Sequence, residues 1–261
     1  MKLEQQTGQS LPRLVEIMQR LLGPTGCPWD REQTLESLRP YVVEEAHEVV
    51  DAIDSGDPEE LREELGDLLL QIVFQSELAR ARSWFGPDDV VSAICDKLVR
   101  RHPHVFGDQK VSGSAEVLVN WEAIKAKEKV GRGVLDGVPK ALPALLRAMR
   151  VGEKAARAGF DWPALEGARA KVDEELAELD AAVRGGERQR IEHELGDVLF
   201  ALVSVARKLD VDPEAALRGT LDRFTGRVRT VETLAKEQGA ELSTMSAEAL
   251  DQLWLTAKAR E

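Results

Sequence analysis

The second half of this 261-residue chain repeats the first. Shifted by 130 residues, positions 42–73 fall on 172–203, and 12 of these 32 ungapped positions are identical: Val42, Glu44, Glu45, Glu48, Ala52, Gly56, Glu64, Leu65, Gly66, Asp67, Leu69 and Val73 meet Val172, Glu174, Glu175, Glu178, Ala182, Gly186, Glu194, Leu195, Gly196, Asp197, Leu199 and Val203. Unrelated sequence would give roughly two matches. The halves therefore share a fold, and each is long enough to bury a core of its own. Between them Gly131 to Pro143 holds three glycines and two prolines, the composition of a connection. The expected organisation is a first module at 1–130, a linker at 131–143 and a second module at 144–261.

Apolar residues recur at spacings of three and four through nearly every long segment, and clean period-two alternation is absent, so the chain reads as all-α. Each half should hold two long central helices joined by a short turn, at Pro40–Asp54 and Pro58–Arg82 and again at Gly167–Arg184 and Glu187–Leu209. Asp57-Pro58 and Asp212-Pro213 place a capping side chain and a first-turn proline at helix starts, and Ser114 and Ser246 read as caps. Antiparallel helices joined this tightly pack side by side.

Charge narrows the function. Forty-seven Asp plus Glu against 35 Lys plus Arg give a net charge of -12, which disfavours a nucleic-acid polymer as partner and leaves room for a small phosphorylated ligand held through metal ions. Cys27 and Cys95 are too few for a disulfide scaffold and lack zinc-ligand spacing. The polar start MKLEQQTGQS has no apolar core of a secretion signal, and the longest apolar runs fall well short of a membrane span. The expectation is a cytoplasmic protein without a membrane partner.

The repeated acidic residues carry the chemistry. Helical positions three apart project from one side, so Glu45 with Glu48 and Glu64 with Asp67 form two pairs. Counted from the turn at 55–57, Glu48 and Asp67 stand at similar heights, roughly 14 Å along each helix, so the pairs are expected to converge. Glu175, Glu178, Glu194 and Asp197 repeat the arrangement. Like charges this close call for a cation, and an all-oxygen donor set favours Mg²⁺, Mn²⁺ or Ca²⁺ over zinc. A single such motif in a chain this acidic would be an ordinary solvated face. Here both copies run directly into apolar helix, at Leu68–Phe74 and Val198–Ala206, which places Asp67 and Asp197 at the edge of a buried region.

The duplicated EExxE and ExxD, together with GCPWDREQT at Gly26–Thr34, KLVRRHPHVF at Lys97–Phe106, LPALLRAMR at Leu142–Arg150 and GFDW at Gly159–Trp162, closely resemble the MazG nucleoside triphosphate pyrophosphohydrolases over almost the whole chain. The carboxylate motif alone is shared by the wider all-α NTP pyrophosphatases, including dimeric dUTPases. The resemblance implies two tandem four-helix-bundle-like modules, a homodimer, and Mg²⁺-dependent hydrolysis of NTP or dNTP to monophosphate and pyrophosphate that cleans the nucleotide pool, with Mn²⁺ as a substitute ion. It implies metal ligands at Glu45, Glu48, Glu64 and Asp67 and at Glu175, Glu178, Glu194 and Asp197. It implies nucleotide contacts at Lys171, Arg223, Arg227, Trp254 and Lys258, with counterparts at Lys97, Arg101, Trp121 and Lys125. Glu45 or Glu175 is the expected general base toward an attacking water. The sequence departs from the family at Leu221, where members commonly carry Asn two residues before the basic residue of the late helix.

Two other readings remain at this stage. Glu44 and His47 have the ExxH spacing of di-iron carboxylate bundles, although Ala177 breaks the pattern in the second half and no histidine follows Glu64 at that spacing. A helical module that binds a nucleotide without turnover is the other. Trp29, Trp162 and Trp254 are candidate stacking partners for a base, with core packing the competing role for the first two. His102 and His104 flank a proline and read as loop packing, and His193 reads as solvent-facing.

Overall fold

A computed structural model describes residues 10–128 and 133–260, apart from the side chains of residues 115, 118, 122, 126 and 127. The polar start at 1–9 and the first two residues of the expected linker, 131 and 132, lie outside the described residues. The chain divides into two compact units, Met1–Lys129 and Val130–Glu261. Every regular element among the described residues is helical.

The first unit contains α1 (Leu11–Leu22), α2 (Pro28–Glu32), α3 (Arg39–Ser55), α4 (Pro58–Ala81), α5 (Pro87–Arg101), α6 (Pro103–Phe106) and α7 (Ser114–Glu128). Helices α3 and α4 form an antiparallel hairpin, α1 and α5 pack on α4, and α2 packs on α1. Met18, Leu38, Val73 and Phe74 form the buried centre, flanked by Leu14, Leu21, Leu22, Leu70 and Leu78. The second unit contains α8 (Ala144–Arg157), α9 (Leu165–Gly185), α10 (Arg188–Lys208), α11 (Pro213–Glu237), a 3₁₀ turn (Leu242–Thr244) and α12 (Ala247–Ala259). Helices α9 and α10 repeat the hairpin, α8 lies along α10, and α11 reaches both α8 and α12. Its centre joins Val231, Leu234 and Ala235 to Leu253 and Ala257.

The hairpins turn at equivalent glycines. Gly56 and Gly186 end α3 and α9 with φ of +73° and +72°, the left-handed conformation that a Cβ disfavours. The Asp57 carboxylate then accepts a hydrogen bond from the Glu59 amide at 2.9 Å, and Asp212 caps α11 by accepting from the amides of Glu214 and Ala215. Ser246 caps α12 by accepting from the Ala249 amide. Ser114, expected as a cap, is instead the first residue of α7.

The repeat also predicts burial. Ala52 and Ala182 are each 1% exposed, and Val73 and Val203 are 2% and 3% exposed. The apolar runs after the acidic motifs are covered on one side only. Leu65, Leu69 and Ile72 on α4 and the equivalent Leu195, Leu199 and Leu202 on α10 are all 39–49% exposed. Spaced i, i+4, i+7, each trio makes one stripe along its helix, and neither unit covers it among the described residues.

Candidate functional site

Each hairpin gathers three carboxylates. In the first unit Glu45, Glu64 and Asp67 each offer an oxygen within 4.8 Å of the others, and Glu175, Glu194 and Asp197 do the same in the second. The fourth expected residue adjoins without joining either close set. Three helical positions amount to 300° of turn and about 4.5 Å of rise, so Glu48 and Glu178 project just under one turn further along, rotated by about 60° from Glu45 and Glu175. Glu48 is still near enough for its charge to act on Glu45 and Glu64. Histidine joins neither close set among the described residues. His47 is exposed, and His193, itself 75% exposed, rests 3.3 Å from Asp197.

The two sets differ in what surrounds them. Partial burial, then the charges of Asp67 and Glu48, raise the Glu45 carboxyl above its ordinary range. Glu64 is raised as well, first by desolvation and then by Glu48 and Asp67. Gln71, 7% exposed, lies on α4 with its amide nitrogen 3.5 Å from Glu45 Oε1, and its own Oε1 is buried without a partner. In the second unit the equivalent of Gln71 is Ala201, and cations supply the neighbours instead. Lys171 Nζ lies 2.7 Å from Glu175 Oε1 and 2.8 Å from Glu174 Oε1, and these two bonds hold its ammonium in the charged form well above the usual lysine range. Arg190 reaches Glu194 at 3.7 Å. Both pairs are i,i+4 on their helices. Arg190 was not singled out by the sequence reading, although its place four residues before Glu194 was there to be read.

Glu175 is 5% exposed and Glu194 7%. Glu175 Oε2 is buried with no hydrogen-bond partner among the described residues. An orphaned carboxylate oxygen is costly in a folded interior unless something outside the chain meets it. Three converging carboxylates of this kind fit a hard divalent cation, which takes oxygen donors and retains positions for water or phosphate.

Apart from Lys171, no expected nucleotide-contacting residue is joined to the carboxylates by a hydrogen bond or ion pair among the described residues. In the second unit Arg227 lies over the Trp254 ring at 5.6 Å, Phe224 packs on the same ring at 5.4 Å, and Arg223 donates to Thr220. Lys258 is exposed on α12, and so is Leu221, two residues before Arg223. In the first unit Arg101 and Arg100 both engage Glu128, at 2.5 and 2.8 Å, and hold its carboxyl down at about 2. Trp121 meets His102 edge-on at 5.0 Å, Lys125 is half-buried and Lys97 is exposed. His102 and His104 pack ring against ring at 5.6 Å.

A cavity of about 310 Å³ opens in the second unit between α8, the 158–164 loop and α10, walled by Phe160, Trp162, Phe200, Ser204 and Arg207. Phe200 and Ser204 follow Asp197 by three and seven residues, so they share its side of α10. The GFDW loop is tied to the end of α10. Asp161 takes Arg207 in a fork at 2.5 and 3.0 Å and Lys208 at 2.7 Å, and those partners, Arg207 foremost, keep its carboxyl far below the usual range. Trp162 packs over Gly167, where a Cβ would stand 2.7 Å from its ring, so the glycine leaves space for the indole. Trp29 in the first unit is 52% exposed and meets Tyr41 edge-on at 6.2 Å.

Similarity to known proteins agrees with this duplicated geometry. Residues 33–106 and 165–232 both match the MazG nucleotide pyrophosphohydrolase domain, and they carry the two carboxylate sets. The chain is 42% identical over 257 residues to the nucleoside triphosphate pyrophosphohydrolase of Escherichia coli K12, covering 96% of this chain and 98% of that one. It is also 42% identical over 255 residues to the nucleoside triphosphate pyrophosphohydrolase/pyrophosphatase MazG of Thermotoga maritima, covering 97% of each. A solved structure of a MazG-related protein from Thermotoga maritima aligns with 44% of this chain and 98% of its own, at 27% identity and a TM-score of 0.39. Two copies of one domain in a single polypeptide, matched end to end by these relatives, make this chain a member of the MazG nucleotide pyrophosphohydrolase family.

Proposed function

We propose that the chain hydrolyses nucleoside triphosphates to monophosphate and pyrophosphate, using Mg²⁺ held by the carboxylates of each hairpin, and that it works as a homodimer in the cytoplasm to clear nucleotides from the pool. The observation that carries this reading is the set of Glu175, Glu194 and Asp197, with its buried and unpartnered Glu175 oxygen. The names of the full-length relatives in Escherichia coli and Thermotoga maritima point to the same activity.

In this reading Glu45, Glu64 and Asp67, with Glu48 beside them, hold the ion in the first unit, and Glu175, Glu194 and Asp197, with Glu178 beside them, hold it in the second. The bound ion supplies charge neutralisation on the triphosphate. The chain's own groups do the rest. Arg223, Arg227 and Lys258 take up negative charge that develops on the departing pyrophosphate, and Lys97, Arg101 and Lys125 are their counterparts. Glu175 or Glu45 orients the water and accepts its proton as the new phosphorus–oxygen bond forms and the α–β bridge breaks. Trp254 lies beside Arg227 as an apolar surface, and Trp121 is its counterpart in the first unit. Phe160, Trp162 and Phe200 offer aromatic walls for a base whose phosphates lie at Asp197.

The exposed stripes support the homodimer. Leu65, Leu69 and Ile72, and again Leu195, Leu199 and Leu202, are large apolar side chains at the same repeat positions, and either unit by itself would leave its trio in water. No helix among the described residues is long and apolar enough to cross a membrane.

A panel of NTPs and dNTPs with Mg²⁺, with product identification, tests the function. Pyrophosphate and monophosphate in equal amounts are expected, with activity lost when Glu45→Gln and Glu175→Gln are combined. Orthophosphate as the sole primary product, or nucleotide binding without turnover, would overturn it.

A further inference from the structure

The two carboxylate sets are not equally prepared for a cation, and the difference lies at three pairs of repeat-equivalent positions. Where the second unit has Lys171, the first has Tyr41; where the second has Arg190, the first has Glu60; where the second has Ala201, the first has Gln71. Lys171 sits 2.7 Å from Glu175, and Arg190 sits 3.7 Å from Glu194. No cation is paired with Glu45, Glu48, Glu64 or Asp67 among the described residues, and the neighbour at Glu45 is the neutral Gln71 amide. In the second unit, then, two of the three converging carboxylates already hold a positive charge from their own chain. Glu175 keeps its second oxygen, buried and unpartnered, for something else.

We infer that Lys171 is a resident countercation that holds the second unit's carboxylates against free divalent ions until a phosphate-bearing substrate draws the ammonium away, while the first unit takes up a divalent ion without nucleotide. This rests on the proposed metal-dependent function and adds an order of loading to it. A divalent ion entering on the unpartnered Glu175 Oε2 brings two positive charges to within a few ångströms of the ammonium held on Oε1, and their repulsion opens the Lys171–Glu175 bond. Lys171 is one-third exposed on its side chain, so its stem can swing out; the loss is that of one part-exposed ion pair, roughly a two- to fivefold change in affinity. A triphosphate offers the freed ammonium a new anion, so ion and nucleotide favour each other's binding in this unit. Tyr41 and Glu60 bring no positive charge, so the first unit has no such barrier.

Counting bound Mn²⁺ from the spectrum of the free ion, on the full-length protein without nucleotide, tests this. One protein has the first set silenced by Glu45→Gln and Asp67→Asn, and another has the second silenced by Glu175→Gln and Asp197→Asn, each checked for helical content. The protein that retains only the second set is expected to bind Mn²⁺ about two- to fivefold more weakly. Adding Lys171→Met to it should recover that factor, and so should saturation with an α,β-methylene triphosphate. The reciprocal Tyr41→Lys, placed in the protein that retains only the first set, should weaken Mn²⁺ binding there. Equal affinities in the two silenced proteins, or no response to Lys171→Met and Tyr41→Lys, would overturn the inference. Pyrophosphate release is measured in parallel: its absence with the Mn²⁺ asymmetry intact refutes the hydrolase and not the loading order, and the converse result refutes the loading order alone.

Discussion

Gly66 and Gly196 sit in the middle of α4 and α10, one residue before Asp67 and Asp197, and both are exposed. A Cβ built on either would meet nothing within 4 Å, and neither has a positive φ. Glycine in a helix interior costs about 0.8–1.0 kcal/mol relative to alanine through backbone entropy. With no clash to set against that, Gly66→Ala and Gly196→Ala should each stabilise their own unit by about 1 kcal/mol. For a unit of this size the midpoint of unfolding should rise by roughly 3–6 °C. Because the two positions belong to separate compact units, the gains should be independent. Thermal unfolding followed by circular dichroism at 222 nm is the assay, with each single variant and the double variant compared to wild type. A lower midpoint in either single variant would refute the reasoning, because it would mean that a Cβ on this face collides with something the chain alone does not provide.

Other outcomes follow from the same geometry. Glu194→Gln keeps the shape of a side chain only 7% exposed but removes its charge, so pyrophosphate release by the second unit should fall by about 100-fold or more while the unfolding midpoint stays level or rises, read by coupled phosphate detection and thermal unfolding. Leu195→Arg and Leu65→Arg place a charge on the exposed stripes, and sedimentation equilibrium should show weaker self-association with helical content unchanged. Asp161 has its carboxyl lowered by Arg207 and Lys208, so the stability it lends the second unit is complete above its ordinary value near 4 and drains away as pH falls through the depressed folded value. Asp161→Asn should therefore cost stability at pH 7 and flatten the acid limb below pH 4 in a pH series of urea midpoints.

The fold was legible because it is written twice. The repeat, the paired caps at Asp57 and Asp212 and the turn glycines Gly56 and Gly186 are local signals that need no knowledge of the partner helix. Convergence of Glu45 with Glu64 and Asp67 followed from helical spacing and a short turn. The place of Glu48 and Glu178 was harder to read: the same i,i+3 spacing keeps Glu64 with Asp67 inside one trio and leaves Glu48 and Glu178 outside, because spacing along one helix does not say which carboxylate meets the facing helix. Lys171 and Arg190 obey the same i,i+4 rule that pairs any helical ions, yet nothing local marks them as facing a carboxylate cluster and not water. The apolar runs after each ExxD were read as bordering buried helix. Only one side proved covered, because hydrophobic pattern records which faces avoid water and not which molecule shields them.

If both exposed stripes recruit partners, the chain faces a problem of closure. If the Leu65 edge and the Leu195 edge each recruited a different copy and no ring closed, every added copy would present another unsatisfied edge, and growth would run on into a fibre. A finite particle demands that both edges be spent within the same small ring or pair. Duplication of the domain thus makes discrete assembly depend on the geometry joining the halves, and a change in that junction could convert a finite enzyme into a polymer without altering either edge.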